Sequence, residues 1–223
     1  MSTTDSHLDN RLKLCADFVR QGSKLADIGT DHAYLPVWLC RNGICPAAIA
    51  ADINPEPLKR GRQTVVYANL CDRIETRLSD GLRNIRADEA DDIVIAGMGG
   101  ELIAKIMSEC DFAKDSGKRF ILQPMTKSEL LLEWLCKNGF NIINQDCCVA
   151  ADKCYTVLSV GYTGADLNKD RLFYYTGKLT PHASDTHRRF IEAHIARLRK
   201  KAKGDAQYDV LADRLAQWME DQS

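Results

Sequence analysis

Apolar positions along this chain recur in short runs of strand length: LADIG (25–29), AAIAADI (47–53), IETRLSD (74–80), DDIVIAG (91–97) and RFILQP (119–124). Between them the apolar spacing turns helical. Helices are expected over about Ser6 to Gln21, Ala33 to Asn42, Pro55 to Leu70, Gly100 to Cys110 and 126–139. Pro55 stands at a helix start, where its missing N–H costs nothing. Thr126-Lys-Ser-Glu129 has the spacing of a capping box, and Gly139 marks the end of that helix. Two further runs, FNIINQDCCVA (140–150) and CYTVLSVGY (154–162), are joined too tightly for a crossover helix. They must pair antiparallel, as a hairpin.

Such alternation predicts an α/β fold: a doubly wound, mostly parallel, seven-stranded Rossmann-like sheet closed by a terminal antiparallel hairpin. The hairpin sets the chain apart from a dinucleotide dehydrogenase, whose second half repeats βαβ units. Past Gly161–Gly164 the pattern changes. Phe190, Ile191, Ile195 and Leu198 recur at helical spacing, Lys203-Gly204-Asp205 interrupts, and Val210, Leu211, Leu215, Trp218 and Met219 resume it. The expectation is a helical hairpin, a short coiled coil, forming a second domain over 165–223 after a first over 1–164.

Composition narrows the classes. With 223 residues, 45% hydrophobic and 27% charged, the chain has the balance of a globular protein rather than a disordered or collagen-like one. No run reaches the roughly 18 apolar residues of a membrane helix, and MSTTDSHLDNRLK lacks the basic flank and apolar core of a secretory leader. A cytoplasmic protein without membrane partners is expected. Nine cysteines, an odd number, show no C-x-x-C pair and no zinc-like spacing to histidine. Even the cluster Cys147, Cys148 and Cys154 lacks ligand spacing, so no metal is expected, and the thiols read as small hydrophobes in a reducing compartment. The net charge of −1 excludes a uniformly basic nucleic-acid binder. It leaves room for a local basic face: residues 187–203 carry seven Arg/Lys against one Glu.

The candidate chemistry sits at strand ends. Asp27-Ile-Gly29-Thr-Asp31-His32-Ala33 follows a strand and opens a helix, where open α/β sheets bind nucleotide-like ligands. Gly29 permits a tight turn beside the ligand. The loop is not G-x-G-x-x-G: Asp31 and Ala33 replace glycines, and a carboxylate beside a diphosphate would repel it. A cationic or zwitterionic ligand such as S-adenosylmethionine suits it better. Asp52 ends the second strand 23 residues after Gly29, placed for ribose hydroxyls, with Ile53 beside it to pack on adenine. Asp80-Gly81 ends the third, within reach of an adenine amino group. Each aspartate alone is as good a helix cap; three at consecutive strand ends point to a cofactor. Gly97, Met98, Gly99 and Gly100 follow the fourth strand, letting backbone approach a substrate or simply turning into the next helix. The N/D-P-P-Y/F element of exocyclic-amine methyltransferases is absent there, and a ring nitrogen with a free lone pair would not need it.

Taken together, LADIGTDHAYLP (25–36), ADINPEPLKRG (51–61), SDGL (79–82), IAGMGGELI (95–103) and LQPMTKSELLLEWLCKNGF (122–140) resemble the bacterial tRNA (adenine-N1)-methyltransferases of the TrmK type. These are class I S-adenosylmethionine-dependent enzymes that modify adenosine 22 in the D-arm. The resemblance runs from about Leu8 to Tyr162, and the helical tail matches the family's layout. It implies a tRNA substrate and cofactor contacts at Asp27, Gly29, His32, Asp52, Ile53, Asp80, Gly81, Gly97, Met98 and Gly99. For catalysis the candidate is Asp31, either stabilising positive charge on the methylated base or holding the methionine ammonium or a helix cap. His32 reads as a hydrogen-bonding partner rather than a base. Arg11 reads as a phosphate or base contact or as a solvated charge. Arg188, Arg189, Arg197, Arg199, Lys200, Lys201 and Lys203 read as an RNA-docking face or a solvated helix surface. A monomer is expected. Two competing readings are a nicotinamide-dependent oxidoreductase and a non-catalytic cofactor-binding interaction module; the first lacks the glycine pattern and a Tyr-x-x-x-Lys pair.

Overall fold

The computed structural model describes residues 8–165, 167 and 169–221. Apolar β-runs buried on both faces form the centre: β1 (Leu25–Ile28), β2 (Ala48–Asp52), β3 (Ile74–Leu78), β4 (Asp92–Gly99), β5 (Arg119–Thr126), β6 (Phe140–Ala150) and β7 (Lys153–Tyr162). They make one seven-stranded sheet in the order β3-β2-β1-β4-β5-β7-β6. The first five strands are mutually parallel, and β7 runs antiparallel between β5 and β6. The expected hairpin is there, folded back so that its second strand joins the sheet first. Every residue of β1 and β2 is buried, as strands covered on both faces require.

The covering helices are α1 (Asn10–Phe18), α2 (Tyr34–Arg41), α3 (Pro55–Tyr67), α4 (Gly100–Ser108) and α5 (Ser128–Lys137). Ser6 and His7, the expected start of the first helix, lie outside the described residues; α1 is capped by Asp9, which accepts the Leu12 N–H at 2.9 Å. Two apolar clusters fill the sheet's faces, one around Ile93, Ile103, Phe120 and Leu131, the other around Leu25, Leu39, Val94 and Ile121. At the N-terminal ends of the strands, fully buried Asp92 accepts from the Arg20 backbone and Nε, both at 2.7 Å. This anchor lies at the end of the sheet opposite the candidate chemistry.

Two expectations need correction. The capping box at Thr126–Glu129 does not form. Thr126 belongs to β5, Lys127 takes a left-handed conformation (φ 54°), and Ser128 Oγ lies 3.3 Å from His194 Nε2 instead. Tertiary contact with the tail outbids the local cap. The run Gly97–Gly99 is not a free turn either. It continues β4 as a bulged end whose Met98 and Gly99 face Pro124 and Thr126 of β5. Gly100 then opens α4, where an added Cβ would stand 2.3 Å from the Lys127 carbonyl oxygen.

The tail comprises a short turn, α6 (Phe173–Thr176), which sequence reading did not anticipate, and two long helices, α7 (Asp185–Ala202) and α8 (Gln207–Asp221). Ile191, Ile195 and Leu198 pack on Leu211 and Leu215. The tail also grips the sheet: Phe190 and Leu179 bury against Cys147, and His187 Nε2 lies 2.8 Å from Asp146 Oδ1. Among the described residues no helix is long and apolar enough to cross a membrane, and no group of three or more His, Cys, Asp or Glu is placed to hold a metal.

Candidate cofactor site

At the C-terminal ends of β1 and β4 lies a cleft of about 400 Å³, walled by Asp27, Gly29, Asp31, His32, Gly97 and Arg11 among others. That volume is ordinary for a small-molecule site, about 300–1,000 Å³. The β1–α2 loop builds its floor. Gly29 and Thr30 both donate backbone N–H to the Ala51 carbonyl, at 2.8 and 3.0 Å, which ties the loop to β2. Gly29 has φ +78°, and an added Cβ would meet Met98 Cε at 2.3 Å. Asp31 (φ 46°) and Ala33 (φ 56°) are held left-handed without being glycine, a strain that recurs at binding sites.

Asp27 is the buried charge of the site, 5% exposed. Thr30 Oγ1 donates to its Oδ2 at 2.6 Å. Burial pushes its carboxyl from an ordinary 3.8 up to about 6; the Thr30 hydrogen bond opposes this and the neighbouring Asp52 adds to it. Among the described residues neither carboxylate is ion-paired, so the pair favours a cationic group and disfavours a diphosphate. Asp52 is 8% exposed, and its Oδ1 accepts the Asn54 N–H at 2.8 Å. Ile53, beside it, is 57% exposed, an apolar surface without a cover.

The remaining predicted residues distribute along the same edge. Asp80 and Gly81 follow β3, next to Asp52: the Ser79 N–H donates to the Asp52 carbonyl at 2.9 Å. They line a separate small depression with Leu102 and Ile106 rather than the main cleft. The Asp80 carboxylate is exposed and 3.5 Å from Arg83. Of the stretch 97–99 only Gly97 walls the cleft, with φ +79° and open space where a Cβ would be. Asp31 is exposed and sits 3.6 Å from His32 Nε2, whose ring stacks on Tyr34 at 5.1 Å.

Arg11 is not a solvated charge. It pairs with Asp9 at 2.5 Å, reaches Gln123 Oε1 and Met125 Sδ at 3.3 Å each, and lies 5.7 Å from the Tyr155 ring centre. Gln123, fully buried, also receives the Gly97 N–H at 3.1 Å and so joins Arg11 to the cleft wall. Sequence reasoning missed Gln123, although a polar residue closing the apolar run RFILQP was a signal. Thr30 and Tyr34 carried none.

The tail cations do not share one face. Lys201 lies 3.6 Å from Glu129, Arg199 lies 3.9 Å from Asp213, and Arg188 contacts His182. Arg189, Arg197, Lys200 and Lys203 make no ion pair among the described residues.

Residues 8–158 match the family model described as a methyltransferase domain. The tRNA (adenine(22)-N(1))-methyltransferase of Bacillus subtilis is 38% identical over 173 residues, 77% of this chain and 72% of that one. This chain belongs to that methyltransferase family. The crystal structure of the B. subtilis m1A22 tRNA methyltransferase TrmK superposes with a TM-score of 0.81 at 28% identity, covering 97% of each chain. Sp1610 from Streptococcus pneumoniae, in complex with S-adenosyl-L-methionine, matches with a TM-score of 0.83 at 31% identity over 97% of this chain and 99% of that one. The similarity spans the methyltransferase core and the helical tail together.

Proposed function

We infer that this protein methylates N1 of adenine 22 in the D-arm of tRNA, using S-adenosyl-L-methionine. The observation that carries the reading is its 38% identity, over 77% of its length, to an enzyme of that activity. The site supports it independently. Asp27 and Asp52 supply acceptors for a cation and for ribose hydroxyls, Gly97 leaves room for close backbone approach, Gly29 makes the tight turn of the loop, and Ile53 offers an apolar face to a purine.

When bound, the cofactor supplies an electrophilic methyl group on a sulfonium. Adenine N1 has a free lone pair at neutral pH, so no residue need act as a base to create the nucleophile. The chain's task is alignment, worth up to about 7–11 kcal/mol in ideal cases. Methylation leaves a positive charge on the base; Asp31, exposed at the cleft mouth, is suited to stabilise it as it develops. His32, set between Asp31 and Tyr34, holds the loop's orientation. We take residues 1–164 as the transfer domain and 165–223 as a helical-hairpin domain that docks the RNA. We take the enzyme to act as a monomer in the cytoplasm, where its tRNA substrate would be met. The test is methyl incorporation into tRNA from a strain lacking the gene, mapped by mass spectrometry. N1-methyladenosine at position 22 is expected; methyl on another atom or position would refute the reading.

A further inference from the structure

A second cleft, of about 480 Å³, opens between the turn of the β6–β7 hairpin, the end of β5 and the exposed side of α7. Its rim carries Lys153, Arg189 and Arg197, none ion-paired among the described residues, against one carboxylate, Asp152. The only aromatic side chain on its wall is Tyr155. That ring also carries the Arg11 guanidinium, and Arg11 walls the cofactor cleft. Met125 makes a second bridge: it lines this cleft and contacts Arg11. The two clefts are therefore neighbours across one arginine and one tyrosine.

The turn that presents these groups is strained. Ala151 (φ 46°) and Asp152 (φ 62°) are both left-handed, where a tight hairpin would ordinarily use Asn-Gly or Gly-Gly. Strain of this kind persists where the surroundings hold it and clusters at ligand clamps. Here it fixes Lys153 and Tyr155 opposite α7. An adenine N1 lies on the edge that base pairing covers, so the base has to leave its stack before the nitrogen can reach a methyl donor. An extruded base needs an aromatic face to stack on and cations for the flanking phosphates. The second cleft offers that combination.

We propose that the nucleotide to be methylated sits at the seam of the two clefts, Tyr155 stacking on the extruded adenine so that its N1 faces the cofactor cleft, and Arg189 and Arg197 of the second cleft binding the flanking phosphates. This rests on the RNA methyltransferase reading above. The test compares wild type with Tyr155→Ala, Tyr155→Phe and the surface double variant Arg189→Ala/Arg197→Ala. Each is measured for S-adenosylmethionine affinity, for tRNA affinity at several salt concentrations, and for single-turnover methylation at saturating tRNA.

Tyr155→Ala should lose roughly 5- to 150-fold in single-turnover rate, the size of one base–aromatic stack, while cofactor affinity stays within about twofold. Tyr155→Phe should keep the wild-type rate, since it keeps the ring. The double arginine variant should bind tRNA more weakly, with the salt slope reduced by about 2, and bind cofactor unchanged. An active wild type with an unimpaired Tyr155→Ala, or with Tyr155→Phe as damaged as Tyr155→Ala, would overturn this proposal alone. So would an unchanged salt slope in the double variant. A wild type that binds cofactor and methylates no tRNA would overturn the parent reading, and this proposal with it.

Discussion

Replacing Asp27 by Asn tests the electrostatic logic of the cofactor cleft. The free protein holds Asp27 buried beside Asp52, its carboxyl raised from 3.8 to about 6. A group whose folded pKa lies above its unfolded value makes the fold less stable as pH rises through that interval. At about 1.36 kcal/mol per unit, the ionised carboxylate costs the cofactor-free protein about 3 kcal/mol at neutral pH. An Asn side chain is nearly the same shape and still accepts the Thr30 hydrogen bond. The variant should therefore be more stable than wild type at pH 7.5, with the melting temperature raised by up to roughly 6–12 °C. The advantage should shrink steadily toward pH 4, where wild-type Asp27 is protonated. Cofactor binding should move the other way, weakening roughly 10- to 150-fold at pH 7.5, the worth of one hydrogen bond to a charged group. Wild-type affinity should also fall as pH drops below about 6, while the variant's stays flat. Thermal melts across this pH range and calorimetric titration with S-adenosylmethionine read both effects. A variant less stable than wild type at pH 7.5, or one binding the cofactor equally well, would refute the reasoning.

The other predictions are more compact. Gly29→Ala should destabilise the fold by about 1–2 kcal/mol through its φ of +78°. Met98→Ala should not rescue it, since Met98 Cε is the end of a flexible side chain; chemical denaturation of the double variant checks this. Asp31→Ala should depress the methyl-transfer rate much more than cofactor affinity, and equal losses would assign Asp31 to binding. Buried His194, held near 3 first by burial and then by Arg197 and Lys201, stays neutral in the fold. Stability should therefore fall as pH drops below 6.5, and His194→Gln should remove that part of the acid sensitivity in denaturant titrations. Deleting residues 165–223 should keep cofactor binding and weaken tRNA binding. It should also lower the melting temperature, because Phe190 and Leu179 leave Cys147 uncovered.

Strand and helix periodicity carried most of the fold. The runs at 25–29, 47–53 and 91–97 could be buried on both faces only in a parallel sheet. The three-residue gap after Ala150 left no room for a crossover. What periodicity missed depended on distant contacts. Ser128 looked like part of a local cap until His194, 66 residues away, claimed its hydroxyl. Arg11 looked like an ordinary helix-surface charge until Gln123 and Met125, more than 100 residues on, came within its reach. The run of tail cations suggested one face, yet a helix turns 100° per residue, so Arg199 reaches Asp213 of α8 while Arg197, two residues earlier, lines the cleft beside β7. At the cofactor site the acidic strand ends were legible because strand order places them in one row. Which of them wall the cleft was not, since that depends on the bulge at Met98 and the course of the β1–α2 loop.

Calorimetric titration of the purified protein with S-adenosylmethionine, S-adenosylhomocysteine and NAD, each at pH 7.5, probes the acidic row most directly. The account predicts saturable binding of the two sulfur compounds, tighter for the one that carries the sulfonium, and no measurable heat with the dinucleotide. Tight NAD binding with neither sulfur ligand taken up would contradict it.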